Sequence, residues 1–197
     1  MTMISPAGRQ TLLQIARDSI RHGLDHGRPL TVHAANYPEE LRPLRASFVT
    51  LQRHGELRGC IGTLEALRPL AEDVAYHAWA AAFEDPRFAP LAEWELEGLD
   101  IHISILSPPE PLHFENEADL LRQLRPGRDG LILRDRGHRG TFLPSVWESL
   151  PQPRDFWQHL KLKAGLPPDW WSDTLQVERY TTESFGDETV HHRHMSN

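Results

Sequence analysis

Cysteine is almost absent: Cys60 stands alone in 197 residues, which excludes an intramolecular disulfide and any gain from an oxidising compartment. Long apolar runs are missing too. No stretch has the length to span a bilayer, and Met1 to Gly8 hold no apolar core of a signal peptide, so we expect a cytoplasmic protein with no membrane partner. Positive charge is in deficit, with a formal net charge of −7, whereas indiscriminate nucleic-acid binding needs a basic surface to release counterions. There is no Gly-rich phosphate loop, paired-cysteine metal site or GxSxG elbow. Nor is there a cysteine cluster for an iron–sulfur centre, which excludes radical-SAM chemistry carried by this chain itself.

What is present is an ordinary globular balance, 39% hydrophobic and 25% charged residues, enough for one large domain or two small lobes. Ser5-Pro6 supplies an N-cap and a first-turn proline, Leu12, Ile15, Ala16 and Ile20 recur at helical spacing, and Gly23 is the expected stop. Residues 27–45, rich in proline and charge, read as a connection. Ser47 to Leu51, a His54-Gly55 turn and Glu56 to Thr63 form a hairpin. Pro69 opens a second helix, with Leu70, Val74, Ala78 and Ala81 as its apolar stripe and Asp85-Pro86 as its end. Leu99 to Leu106 alternates as a strand.

The plan then recurs. Asn116 caps a short helix, Gly130 to Asp135 and Arg139 to Leu143 flank a Gly137-His138 turn, and Pro153 opens a helix stopped by Gly165. Leu175 to Thr182 is the closing strand. Runs of hairpins with helices between them predict an α+β fold built on antiparallel strands. Hairpin, helix and strand occur twice, so we read an internal duplication into lobes 46–112 and 116–185 of a single domain over 5–185. Residues 186–197, with His191-His192-Arg193-His194, read as a disordered tail.

The chemistry concentrates at Leu57-Arg58-Gly59-Cys60-Ile61-Gly62. Strict alternation places Arg58, Cys60 and Gly62 on one face, where a guanidinium beside a thiol favours the thiolate and the glycines admit a ligand. The bland alternative is a buried thiol in a tightly packed hairpin. Glu84, Asp85 and Arg87 can orient a polar ligand, or simply end a helix with an ion pair. His159 is a candidate general base for Cys60, although its helical neighbours Phe156 and Leu160 favour a core histidine. His22 and His26 stand i, i+4 without a visible third ligand, so no metal site is expected. The arginines 122, 125, 128, 134, 136 and 139 form a basic stretch that reads as a solvated helix end and hairpin, with a phosphate or acidic partner as the functional alternative. Trp147, Trp157, Trp170 and Trp171 are expected to pack the second lobe.

Arg58-Gly59-Cys60-Ile61-Gly62, with Leu57 before and Thr63 after, resembles the signature of the AMMECR domain family, whose prokaryotic members are also called AmmeMemoRadiSam system protein A. Further motifs agree in order: Ala81-Ala82-Phe83-Glu84-Asp85-Pro86-Arg87-Phe88, Ile103-Ser104-Ile105-Leu106-Ser107-Pro108-Pro109-Glu110, Asp129-Gly130-Leu131-Ile132 and Leu162-Lys163-Ala164-Gly165-Leu166-Pro167-Pro168. The resemblance implies a repeated α+β arrangement around a barrel-like sheet. It also implies association with a Memo-type protein and a radical-SAM enzyme, and a functional surface at the cysteine motif; RNA or a nucleotide is the other partner class. No cofactor follows from it. We therefore expect, first, an accessory or substrate-binding component of a modification system. An enzyme with Cys60 as nucleophile or covalent carrier comes second, and a structural or interaction protein third. The expected site comprises Cys60 and His159 as catalytic candidates, with Arg58, Gly59, Ile61, Gly62, Glu84, Asp85 and Arg87 as binding residues.

Overall fold

The computed structural model of the chain describes residues 3–187. They fall into two compact units: residues up to Leu106 together with those from Glu183 on, and Ser107–Thr182. The expected α+β character is present: the described residues form four α-helices and two four-stranded antiparallel sheets, one sheet in each unit.

The first unit begins with α1 (Pro6–His26), started by Ser5, whose Oγ accepts the Gly8 amide at 3.0 Å. The helix runs through Gly23 instead of stopping there. A Cβ at Gly23 would stand 2.4 Å from the Phe83 ring and 2.7 Å from Trp79, so this glycine serves the close approach of two helices. The stop is Gly27, left-handed at φ 70°, whose N–H returns to the Gly23 carbonyl. Strands β1 (Ser47–Arg53) and β2 (Glu56–Gly62) form the hairpin, followed by α2 (Leu70–Phe83) and β3 (Leu99–Leu106). Val49, Leu51, Ile101, Ile103 and Ile105 are buried with Leu12, Ile20, Leu70 and Val74 of the helices.

In the second unit β4 (Glu110–Pro111) precedes α3 (Glu117–Gln123), the hairpin of β5 (Gly130–Asp135) and β6 (His138–Phe142), α4 (Pro153–Lys163) and β7 (Gln176–Tyr180). Its core gathers Leu120, Leu131, Leu133, Phe156, Leu160 and Val177 around Trp147 and Trp157, with Trp147 stacked on Phe156 at 3.8 Å. Trp170 packs against this cluster, but Trp171 is exposed, contrary to the expectation for all four tryptophans. His159 is exposed as well, its Nδ1 2.7 Å from the Asp155 carbonyl of its own helix. It is not a core histidine.

The strand orders repeat. The first sheet runs β2-β1-β3-β8, with β8 formed by Thr182–Gly186, and the second reads, from its hairpin edge, β6-β5-β7-β4. Both hairpins turn on two positive-φ residues, His54 (53°) with Gly55 (79°) and Arg136 (47°) with Gly137 (83°), the mirror-image turn whose twist matches paired strands. That places the second turn one residue before the expected Gly137-His138. The closing strand also differs. It breaks after β7, and β8 (Thr182–Gly186) joins the other sheet beside β3. Phe185 and Gly186 are buried in it, so the tail does not begin at Gly186; the rest of the expected tail, from residue 188, lies outside the described residues.

Candidate functional site

Cys60 lies on β2, the edge strand of the first sheet. It pairs with Thr50, and Thr50 pairs with His102 on β3, so the three share one row across the sheet. Val49 and Leu51 point into the core, which leaves Thr50 and Cys60 on the opposite face. There the half-buried thiol sits 3.2 Å from the Thr50 hydroxyl.

The backbone of Cys60 faces the sheet edge, where its N–H would lack a ladder partner. Asp85 supplies one: its Oδ2 accepts that N–H at 3.0 Å. The same carboxylate, 4% exposed, accepts the Arg87 amide at 3.0 Å and a two-pronged guanidinium contact at 3.1 and 2.8 Å. Hydrogen bonding from Arg87 holds the Asp85 carboxyl well below the usual carboxylate range against the opposing effect of burial, and the Cys60 and Arg87 amides add to it. Arg87 is raised in turn, first by its bond to Asp85, with a smaller contribution from the charge of Cys60. Its side chain remains 56% exposed.

Arg58 behaves otherwise than alternation predicts. Leu51 pairs with Gly59 but Gln52 pairs with Leu57, so Arg58 is the extra residue of a β-bulge. Leu57 consequently shares a face with Gln52, not with Gly59 and Ile61, and is exposed. Arg58 donates to Glu95 at 2.6 and 3.0 Å and to the Ala89 carbonyl at 2.8 Å. The Arg58 hydrogen bond is the chief reason the Glu95 carboxyl falls to about 2. The cation joined to the Cys60 backbone through Asp85 is therefore Arg87, and Arg58 fastens the segment after α2 to the hairpin.

The bulge has no counterpart in the other repeat. Counting back from the matching turns, Leu51 corresponds to Leu133; its partner is Gly59, whereas the partner of Leu133 is Gly140, one residue nearer its turn and paired without an irregularity. Arg58 is the inserted residue. The glycines themselves answer to packing. A Cβ at Gly59 would lie 2.0 Å from the Ala81 carbonyl oxygen, and one at Gly62 would lie 2.3 Å from the Phe48 ring. Ile61 packs against the core.

The structure thus brings together Arg58, Gly59, Cys60, Ile61, Gly62, Asp85 and Arg87. Glu84 ends α2 with its N–H on the Ala80 carbonyl and an exposed side chain. His159 belongs to the second unit. Sequence reasoning missed Thr50 and Glu95. The alternation of β1 puts Thr50 on the face opposite the core, but Glu95 lies 37 residues from Arg58 with no local signal. The basic stretch is dispersed: Arg125 is held by Asp129, Arg134 by Glu178, and Arg136 lies over Trp170.

A family model described as AMMECR1 matches residues 13–185. The chain belongs to the AMMECR1 family. A Methanothermobacter thermautotrophicus relative is 38% identical over 89% of this chain and 92% of its own length. A Thermotoga maritima relative is 40% identical over 75% and 82%. The crystal structure of the uncharacterised protein PH0010 from Pyrococcus horikoshii superposes with a TM-score of 0.81 at 34% identity, covering 90% of both chains. The hairpin and the segment after α2 lie within the AMMECR1 match, as does the whole second unit, Ser107–Thr182.

Proposed function

We propose that this AMMECR1-family protein is an accessory component of a modification system working with Memo-type and radical-SAM proteins, and that it binds a substrate or partner at the edge of the Arg58–Gly62 hairpin. One observation carries the reading: the hairpin edge offers exposed Arg87, Leu57 and Trp94 on a framework fixed by the buried carboxylates of Asp85 and Glu95. Arg53 lies over the Trp94 ring at 4.9 Å, and arginine with exposed aromatic surface is the composition of contact patches. Cys60 has the Thr50 hydroxyl as its side-chain partner among the described residues, and a nucleophilic thiol needs a base within reach. Calorimetry and pull-down against a Memo-type protein, a radical-SAM enzyme and RNA test it. Leu57→Ser and Trp94→Ala should weaken binding by about tenfold each with unchanged circular dichroism. Absence of binding to all three, or variants that bind like the parent, would overturn the reading.

The thiol-enzyme reading is favoured by one feature, the Asp85 carboxylate that links the Cys60 backbone to the exposed Arg87 guanidinium. In that case native Cys60 would alkylate as rapidly as an accessible thiolate, and Cys60→Ser would abolish turnover. Labelling that waits for unfolding would dismiss it.

A further inference from the structure

A groove of the second unit, about 570 Å³, has none of the expected site residues in its walls. It opens where β4 stops. Pro111 pairs with Glu178 and the Leu112 amide still reaches the Val177 carbonyl at 2.8 Å. The next residues turn away toward α3: the His113 carbonyl accepts from Gln123 at 2.8 Å and the Glu115 amide donates to Asp119 at 3.0 Å. The strand edge at Gln176 is left facing a cleft.

The opposite wall is held by one buried carboxylate. Asp135 accepts from Trp170 Nε1 at 2.8 Å, Ser172 Oγ at 2.7 Å and Thr174 Oγ1 at 2.5 Å. Burial pushes its carboxyl up, but these three donors outweigh it and hold the group below the ordinary value. Trp171 sits between the first two donors and is thereby presented on a fixed segment, its ring exposed. The Phe114 ring stands 5.5 Å away, tilted by 59°. Glu115 and Asp173 line the same cleft and are exposed, whereas Glu178 is committed to Arg134. Among the described residues, neither lysine nor arginine lines it and His113 is the one basic group.

We propose that this groove binds an organic ammonium group, received between the Trp171 and Phe114 rings with Glu115 and Asp173 as counter-charge. Aromatic faces attract cations through their quadrupole, indole most strongly. Two rings set at an angle make two walls of a cage, and carboxylates on the rim favour the cation over a neutral group of equal shape. The shared chemistry is an alkylammonium, free as in a polyamine or borne on a lysine side chain.

The test is titration of the full chain with choline, its neutral isostere 3,3-dimethylbutanol, spermidine and a lysine-containing acetylated peptide. Calorimetry and amide–indole NMR are the readouts. Choline should bind about tenfold more tightly than the isostere and shift the Trp171 indole resonance. Trp171→Leu, which keeps an apolar surface, and the pair Glu115→Gln with Asp173→Asn should each lose about tenfold while thermal unfolding stays unchanged. Tighter spermidine than peptide assigns a free amine; the reverse assigns a polypeptide lysine. Equal binding of isostere and choline, no binding of any cation, or full binding by Trp171→Leu overturns the proposal.

Discussion

Asp85 closes the sheet edge at Cys60: its Oδ2 takes the Cys60 amide at 3.0 Å while Arg87 occupies the rest of the carboxylate. Asp85→Asn would turn one acceptor into a donor facing Arg87. The expected loss is about 2–3 kcal/mol, the range for a charged hydrogen bond removed from a buried site. Because the folded carboxyl lies below its ordinary 3.8, the stabilisation is complete above that value and is lost as the pH falls through the folded pKa. Urea midpoints of parent and variant should therefore converge in acid. A gap that stays constant with pH refutes the assignment.

Arg58→Ala leaves Glu95 beside the bulge without its cation. Removing one member of a largely buried pair costs about 3 kcal/mol. Glu95 titrates near 2 in the parent against an ordinary 4.5, so the gap between parent and variant should shrink as the pH drops from 4.5 toward 2. Glu95→Gln in the Arg58→Ala background should recover part of the loss, which a double-mutant cycle measures.

At Gly59 the neighbour is backbone. A Cβ would meet the Ala81 carbonyl oxygen at 2.0 Å, which no rotamer change relieves. Gly59→Ala should destabilise by about 1–3 kcal/mol through displacement of α2, read as a lowered melting temperature. Gly55→Ala places its Cβ in open space, but at φ 79°; its cost is conformational, about 1 kcal/mol.

Tyr180, buried across β5 from Thr141, donates to the Phe142 carbonyl at 3.1 Å. Burial pushes its hydroxyl up to about 12 against the small opposing effect of Thr141. Its stability contribution is complete below the ordinary value of 10 and declines as the pH rises toward 12. Ultraviolet titration of the native protein should show one late phenolate step that Tyr180→Phe removes.

Much of the fold is legible in local patterns. Leu99 to Leu106 and the two hairpins follow from alternation and glycine turns, and Ser5 and Asn116 name their helix starts. What escaped is tertiary. Gly23 reads as a stop because nothing in the sequence announces Phe83 and Trp79 across from it. The run 175–182 reads as one strand because alternation persists while the chain changes sheets at Thr181. The bulge at Arg58 was hidden for a related reason: a residue added to one strand shows only when its partner strand is laid beside it. The site's cysteine and its Asp85–Arg87 companions stand in recognisable motifs, whereas the Arg58–Glu95 and Asp135 contacts join residues more than thirty positions apart.

The return of β8 to the first sheet bears on the order of synthesis. On the ribosome, the second unit is a continuous stretch from Ser107 to Thr182, complete when Thr182 emerges. The first unit must wait for residues 183–187, so β3 keeps an uncovered flank until β8 has been made. The nascent chain therefore finishes its later-made half first, the reverse of the usual N-to-C sequence. A ribosome-release assay with chains stalled on either side of β8 would see protease resistance in the early half switch on only at that last strand.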